Sequence, residues 1–277
     1  MAAIDKYLSK LAVSDRNLRR KALEEVLHLE GLDFALQSEE KPERSNHPVQ
    51  NYLLLPEGKD RFPLFCAHYD SYPGSVGAND NAAALCILIE LSKELKSKNI
   101  CAGFAFFDGE EEGHSGAKLF EALRDDLILS AVINLDICGY GDMIAVCSKG
   151  NPKKDGISNF CDKKLLKAHD GKLVKYLPES DDICFHTSKQ PVLSVAIVPK
   201  WDIKYLDALA AYGGSFLGKP PEFKMIMDQL EVMTTMHGAS KDGLEWVEPE
   251  AMQRVYDYLL DAVTSHPKIS KTFNFFK

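Results

Sequence analysis

Seven residues carry the chemistry this sequence has to offer: His68, Asp70, Asp80, Glu110, Glu111, Asp136 and His237. They sit where a predicted strand or loop meets a turn or helix start, in AHYDS (67–71), GANDNAAA (77–84), FDGEEEG (107–113), INLDICGYGD (133–142) and MHGASKDGLEWVEPE (236–250). Five of them, His68, Asp80, Glu111, Asp136 and His237, combine imidazole and carboxylate donors, a set that suits divalent metal ions. The acids make the stronger case. Three ligand carboxylates plus Glu110 in one pocket would repel by about 4 kcal/mol per close pair at an effective dielectric of about 20. Two divalent cations would remove that penalty.

Each residue also has a plainer role. A histidine beside a core strand, such as His68, is ordinarily structural, but Asp70 supplies the carboxylate that commonly takes the second ring proton of a metal-bound imidazole. Asp80 precedes a helix and suits an N-cap; alternatively its two oxygens bridge a pair of cations about 3.5–4 Å apart. The three consecutive glutamates read as a solvated acidic turn or as a metal site, since the segment holds no lysine or arginine before Lys118. On the second reading one glutamate binds an ion while its neighbour takes a proton from water that the cation has acidified. Asp136 either caps the loop after it or stands where open α/β sheets place ligands, at a strand's carboxyl end. His237 completes the set, with Asp242 nearby to orient it. His114, four residues after Glu110, is a further ligand in principle, although Gly113 and Gly116 disfavour a regular helix around it. The lone GxG of Gly139 and Gly141 is too little to imply a nucleotide.

The elements that must position these residues follow from the apolar pattern. Runs at 51–56, 63–68, 102–108, 129–136 and 192–198 read as strands buried on both faces. Helical spacing predicts a helix over about 80–96, with Ala84, Leu88, Leu91 and Leu95 on one stripe. Others follow Gly116, cover 202–211, and start at Pro249, a residue favoured in the first helical turn. Residues 1–30 read as helical, with Ser14 and Asp15 as caps and Leu18, Ala22, Leu23, Val26 and Leu27 on the packing face. The polar stretch 38–48, broken by Pro42 and Pro48, is an exposed loop. Strands alternating with helices imply an α/β fold: one domain over 1–277, with a mostly parallel mixed central sheet flanked by helices on both faces. Within it, 1–48 forms an N-terminal helical segment. Residues 199–236, with Gly213, Gly214, Gly218 and four methionines, form a connecting segment or a lid over a pocket.

Composition narrows the partners. The chain has 277 residues, 45% hydrophobic and 27% charged, enough for a substantial core. With 33 basic and 41 acidic residues and no long basic run, nucleic acid is not an expected partner. Two divalent ions would offset half of the formal charge of −8. Seven scattered cysteines without a CxxC pair read as reduced core thiols. No apolar stretch suits a membrane span and the first residues do not read as a leader, so the expectation is a cytoplasmic protein without a membrane partner. A homo-oligomer is allowed rather than demanded.

Taken in order, AHYDS, GANDNAA, FDGEEEG, NLDICGYGD and HGASKDGLEWVEPE resemble the co-catalytic zinc aminopeptidases and glutamate carboxypeptidases of peptidase family M-twenty-eight, over about residues 50–264. The resemblance implies that Asp80 bridges two zinc ions, one held also by His68 and Asp136, the other by Glu111 and His237. It implies that Glu110 is the general base, that Asp70 stands behind His68, and that the Asp80–Asn81 peptide is cis. The stretch SDDICFHTSKQPVLSVAIVP resembles the family's segment before its last strand. The function implied is a metal-dependent exopeptidase, foremost an aminopeptidase acting on a peptide or aminoacyl substrate. Two rivals accompany it: a glutaminyl-cyclase-like acyltransferase with one zinc on the same fold, and a non-catalytic binding domain of peptidase fold. Tyr140, Tyr205 and Tyr212 are available to stabilise an oxyanion.

Overall fold

In the computed structural model, alternate residues of the central strands enter different cores. The structure describes residues 3–42, 47–58, 60–124, 126–148, 150–185, 189–212 and 220–265. Helices α1 (Leu8–Leu11) and α2 (Arg16–Leu29) precede strands β1 (Ala35–Glu39), β2 (Val49–Leu54) and β3 (Phe62–His68). Next come α3 (Ala83–Ser97), β4 (Gly103–Phe107), α4 (Ser115–Leu123), β5 (Leu129–Leu135) and β6 (Met143–Ser148). The chain continues through α5 (Lys163–Ala168), β7 (Gly171–Val174), β8 (Val192–Val198), α6 (Ile203–Leu209), α7 (Pro221–Met227) and α8 (Pro249–Thr264).

The strands form one sheet in the order β1-β2-β4-β3-β5-β8-β6-β7. Its centre, β4-β3-β5-β8, is parallel. The β1–β2, β2–β4 and β6–β8 pairs are antiparallel, and β6–β7 is parallel. Because successive side chains of a strand point to opposite faces, Phe65 and Ala67 of β3 and Phe104 and Phe106 of β4 enter a core shared with α2, α3 and α8. Leu64, Cys66, Ala105 and Phe107 enter another, closed by Phe120 of α4 and by Phe185. A third core joins Ala145, Ala196 and Val198 to α6, Phe223 and Val232. Helices thus cover both faces, as the alternating pattern requires.

All five expected strands are present, within two residues of the predicted limits. β1, β6 and β7 lie outside that set. β1 is an edge strand whose ALQSE shows no apolar alternation, and β7 is only four residues long. MIAVCS of β6 is apolar, but a run of that length fits a strand or a buried helical piece, and its antiparallel register on β8 decides. The N-terminal helical stretch divides into α1 and α2. Asp15 caps α2 by accepting from Leu18 N–H at 2.9 Å. Ala22, Leu23, Val26 and Leu27 are buried, but Leu18 faces solvent and Arg19 takes the buried position instead.

The long central helix begins at Ala83 rather than 80, because 78–82 is an irregular turn with non-helical dihedrals at Asp80 and Asn81. The Asp80–Asn81 peptide is cis. The exposed-loop expectation over 38–48 meets the end of β1, and residues 43–46 lie outside the described residues. In 199–236, α6 occupies the predicted helix and α7 adds a second one; Gly213, Gly214 and Gly218 lie outside the described residues. All seven cysteines are free. Among the described residues, no helix is long and apolar enough to cross a membrane.

Candidate metal centre

The four parallel strands point their carboxyl ends the same way, and their loops supply most of the site. His68 is the last residue of β3, Glu110 and Glu111 follow β4 by three and four residues, and Asp136 immediately follows β5. The crossover from β3 to α3 carries Asp80, and the long connection after β8 carries His237. These loops lie where the strand order reverses around β3, the place at which open α/β sheets bind ligands.

The five predicted ligands come together as two trios that share one residue. His68, Asp80 and Asp136 form the first; Asp80, Glu111 and His237 form the second, and within each the ligand atoms lie within 4.8 Å of one another. His68 Nε2 is 3.1 Å from Asp80 Oδ1 and 3.6 Å from Asp136 Oδ1, and His237 Nε2 is 3.9 Å from Glu111 Oε2. The first trio is the more enclosed: the His68 side chain is 1% exposed and that of His237 50%. The Tyr72 ring, 5.7 Å from His237 centroid to centroid, flanks the open side.

Three donor atoms test whether a metal fits. His68 Nε2, Glu111 Oε1 and Asp136 Oδ1 are buried without a hydrogen-bond partner. Buried polar atoms are nearly always paired, so three such atoms on residues of the two trios fit a bound cation. Burial, aided by Asp181, Asp136 and Asp70, pushes the Glu110 carboxyl up to about 10; burial and Asp80 push Glu111 up to about 8. Burial opposes the charged form of His68, but Asp136, Asp70 and Asp80 outweigh it and raise its pKa. Nitrogen and oxygen donors of this kind suit zinc, and a bound ion would reverse these preferences by stabilising carboxylate and neutral imidazole.

Supporting contacts fix the geometry. The Asp70 carboxylate lies 3.4 Å from His68 Nδ1, whose ring is also 3.2 Å from the Asp70 carbonyl. It also accepts the backbone N–H groups of Glu110 (3.0 Å) and Glu111 (3.1 Å), tying the acidic loop to β3. Burial works to raise the Asp70 pKa, but His68 and the Glu110 amide hold it below the usual range. Asp80 Oδ2 accepts the His237 N–H at 2.8 Å, so the residue common to both trios fixes the backbone of another candidate ligand. Asp80 does not cap α3. Asp242 accepts from Asn79 N–H, Asp80 N–H, Gly238 N–H and Ser75 Oγ, and so holds the turn rather than merely a neighbouring ring. The Tyr140 hydroxyl is engaged, donating to Glu231 and accepting from Lys241 Nζ.

Sequence reasoning missed two participants, Arg19 and Asn79, and gave a third, Gly77, only the role of leaving space for ions. Arg19, fully buried, donates to the carbonyls of Val76 (2.6 Å) and Gly77 (3.0 Å), directly before the Asp80 turn. Burial pulls its guanidinium down to about 10 against Asp70, Asp80 and Asp242, so it stays charged at neutral pH beneath the acids. The available signal was an arginine at i with Ala22, Leu23 and Val26 at i+3, i+4 and i+7. Gly77 has φ +53, and a side chain there would collide with the Asp80 carbonyl, so only glycine serves. Asn79 donates to the carbonyl and hydroxyl of Thr235 and accepts from Gly139 N–H, joining three loops. His114 belongs to neither ligand trio: its Nδ1 faces Glu110 and Asp181.

Comparison with known proteins places this arrangement. Among solved structures, the Legionella pneumophila LapA aminopeptidase superposes with a TM-score of 0.66 at 14% identity, covering 94% of this chain and 70% of that one. Porphyromonas gingivalis glutaminyl cyclase gives 0.68 at 14% identity, covering 95% and 97%. BSAP, a zinc aminopeptidase from Bacillus subtilis, gives 0.58 at 19% identity, covering 80% and 51%. No curated protein matches by sequence. The model of peptidase family M28 matches residues 53–263, from the second strand to the last helix and across all five ligand candidates. On that match, this chain belongs to peptidase family M28.

Proposed function

We propose that the protein is a di-zinc exopeptidase, an aminopeptidase that removes residues from the amino end of a peptide. The observation that carries this reading is the pair of ligand trios sharing Asp80. His68 and Asp136 would hold one zinc, Glu111 and His237 the other, with Asp80 between them. When bound, zinc would polarise the scissile carbonyl and acidify water beside it.

The chain's own residues do the rest. Glu110 adjoins a ligand but belongs to neither trio, so its carboxylate stays free to take up a proton, as a general base requires. It takes the proton of the attacking water and passes it to the leaving amine. Asp70, through the amides of Glu110 and Glu111, keeps base and ligand at fixed spacing. The half-exposed His237 and Tyr72 leave that side open for a chain end to enter. The segment 199–236, which reaches the site through Thr235, is a wall of the substrate pocket in this reading.

The test is zinc content together with a panel of aminoacyl amides. Two zinc ions per chain and zinc-dependent release of the amino-terminal residue are expected; no hydrolysis across the panel overturns the proposal. A second reading, glutaminyl cyclase, has one observation in its favour: the P. gingivalis cyclase is matched over 97% of its length, the LapA aminopeptidase over 70%. A peptide with amino-terminal glutamine separates them. The cyclase would form a lactam and release ammonia with a single zinc, whereas the aminopeptidase would release free glutamine.

A further inference from the structure

The motif EEEGHSGA places a histidine four residues after the proposed base, and His114 remains outside the ligand set. Its backbone is left-handed, with φ 62, at the start of α4, and its N–H bonds back to the Glu110 carbonyl at 2.9 Å. This turn folds the ring over the glutamate. Nδ1 lies 3.3 Å from Glu110 Oε1 and 3.4 Å from Asp181 Oδ1. One imidazole nitrogen thus faces two carboxylates at once, that of the base and that of Asp181.

Asp181 is an independent observation. It is 0% exposed, and neither of its carboxylate oxygens has a hydrogen-bond partner. It starts the short 3-10 turn Asp181–Phe185, whose Phe185 wedges against Phe107 and Phe120. A buried carboxylate held that firmly has a costly vacancy for a donor, and the ring nitrogen facing it is that of His114. Nδ1 is itself buried without a partner of good geometry. Catalytic contacts are commonly long before substrate binds and tighten afterwards.

We propose that His114, anchored by Asp181, is a positioning residue: its Nδ1–H lies between the two carboxylates and orients the Glu110 side chain toward the reacting water. This rests on the proposed role of Glu110 as base. One Nδ1–H facing two carboxylates makes a three-centre contact, so it anchors on Asp181 while steering Glu110.

Two measurements test this on the zinc-loaded protein. In steady-state assays, His114→Gly, which suits the left-handed backbone but lacks a donor, is expected to lower kcat roughly tenfold to a hundredfold, the scale for a misplaced catalytic group. KM and zinc content should stay near wild type. His114→Asn also tolerates that backbone and puts an amide N–H where Nδ1 was; it is expected to recover most of the loss. Unchanged kcat in the glycine variant, or equal loss in both, overturns the proposal. The second readout needs no turnover. With 15N-labelled histidine, His114 should carry its proton on Nδ1, with a resonance that shifts in both Asp181→Asn and Glu110→Gln. A bare Nδ1, or a resonance unmoved by either change, overturns it. An inactive wild-type enzyme would instead sink the proposed function, while this spectrum would still decide the positioning.

Discussion

The loop after β4 holds two kinds of carboxylate, and they are treated differently. Asp108 and Glu112 are neutralised by arginines from α2. Arg16 reaches Asp108 at 2.9 Å and Glu112 at 2.8 Å, and Arg20 reaches Asp108 at 2.6 Å. Glu110 and Glu111, between them in sequence, pair among the described residues only with His114 and His237. The acids at 108 and 112 turn toward the N-terminal helix, and those at 110 and 111 turn into the cleft. The chain thus supplies permanent cations where the acids hold structure, while among the described residues no lysine or arginine pairs with the two cleft acids. A count of charges within the segment cannot reveal this, since the neutralising arginines lie about ninety residues earlier.

The contrast predicts different failures on its two sides. Glu110→Gln should lower kcat by about 10²–10⁴-fold, the span of a lost general base, with zinc content unchanged; near-wild-type turnover would refute the role. On the arginine side, Arg16→Ala with Arg20→Ala should destabilise the fold by about 3–5 kcal/mol, because Asp108 is left buried and unpaired. Urea denaturation measures this, and a loss below about 1 kcal/mol would mean that the pairs contribute as little as surface ones.

Chelation probes the other pair. Removing zinc should lower stability by about 4 kcal/mol for each of the two proposed ions, relative to protein in a thousandfold excess over Kd, and it should change the pH dependence. Glu110 and Glu111 have folded pKa values raised to about 10 and about 8, and that of His68 is raised too, so the folded chelated protein binds more protons than the unfolded chain. Its stability should therefore fall as pH rises from about 5 to 8. Zinc-loaded protein should lack that slope, and thermal melts across the range compare the two. The smallest effect concerns the helix that delivers the arginines. Asp15→Ala removes the α2 cap and should cost about 1 kcal/mol, leaving zinc affinity unaltered; weaker zinc binding would show that the two acid groups are coupled.

Much of this was legible in the sequence, for identifiable reasons. Strands β2, β3, β4, β5 and β8 show as continuous apolar runs because both of their faces are buried. Of the candidate ligands, His68 and Asp136 show because each stands at the end of such a run, whereas Asp80 and His237 lie in connections and were read from residue type and the motifs around them. The early helix stretch misled at Leu18, where the apolar residue is exposed and the adjacent arginine is buried. Periodicity ranks positions by hydrophobicity, and it cannot see that two backbone carbonyls await a guanidinium. His114 looked like a spare ligand at i+4 from Glu110, but a left-handed residue breaks the helical geometry on which that spacing depends.

By itself the sequence determined the strand cores, the order of the chemical motifs and the inventory of donors, since these depend on local pattern and residue type. Only the tertiary structure decided which acids meet arginine and which converge on Asp80. It alone set Asp242 to hold a turn and brought Asp181 against His114 across 67 residues of chain. The physical reason is that pairing energies of charges and hydrogen bonds act over a few ångströms of space. Distances of that size between remote residues come from the register of β3, β4, β5 and β8, which no local stretch of sequence encodes.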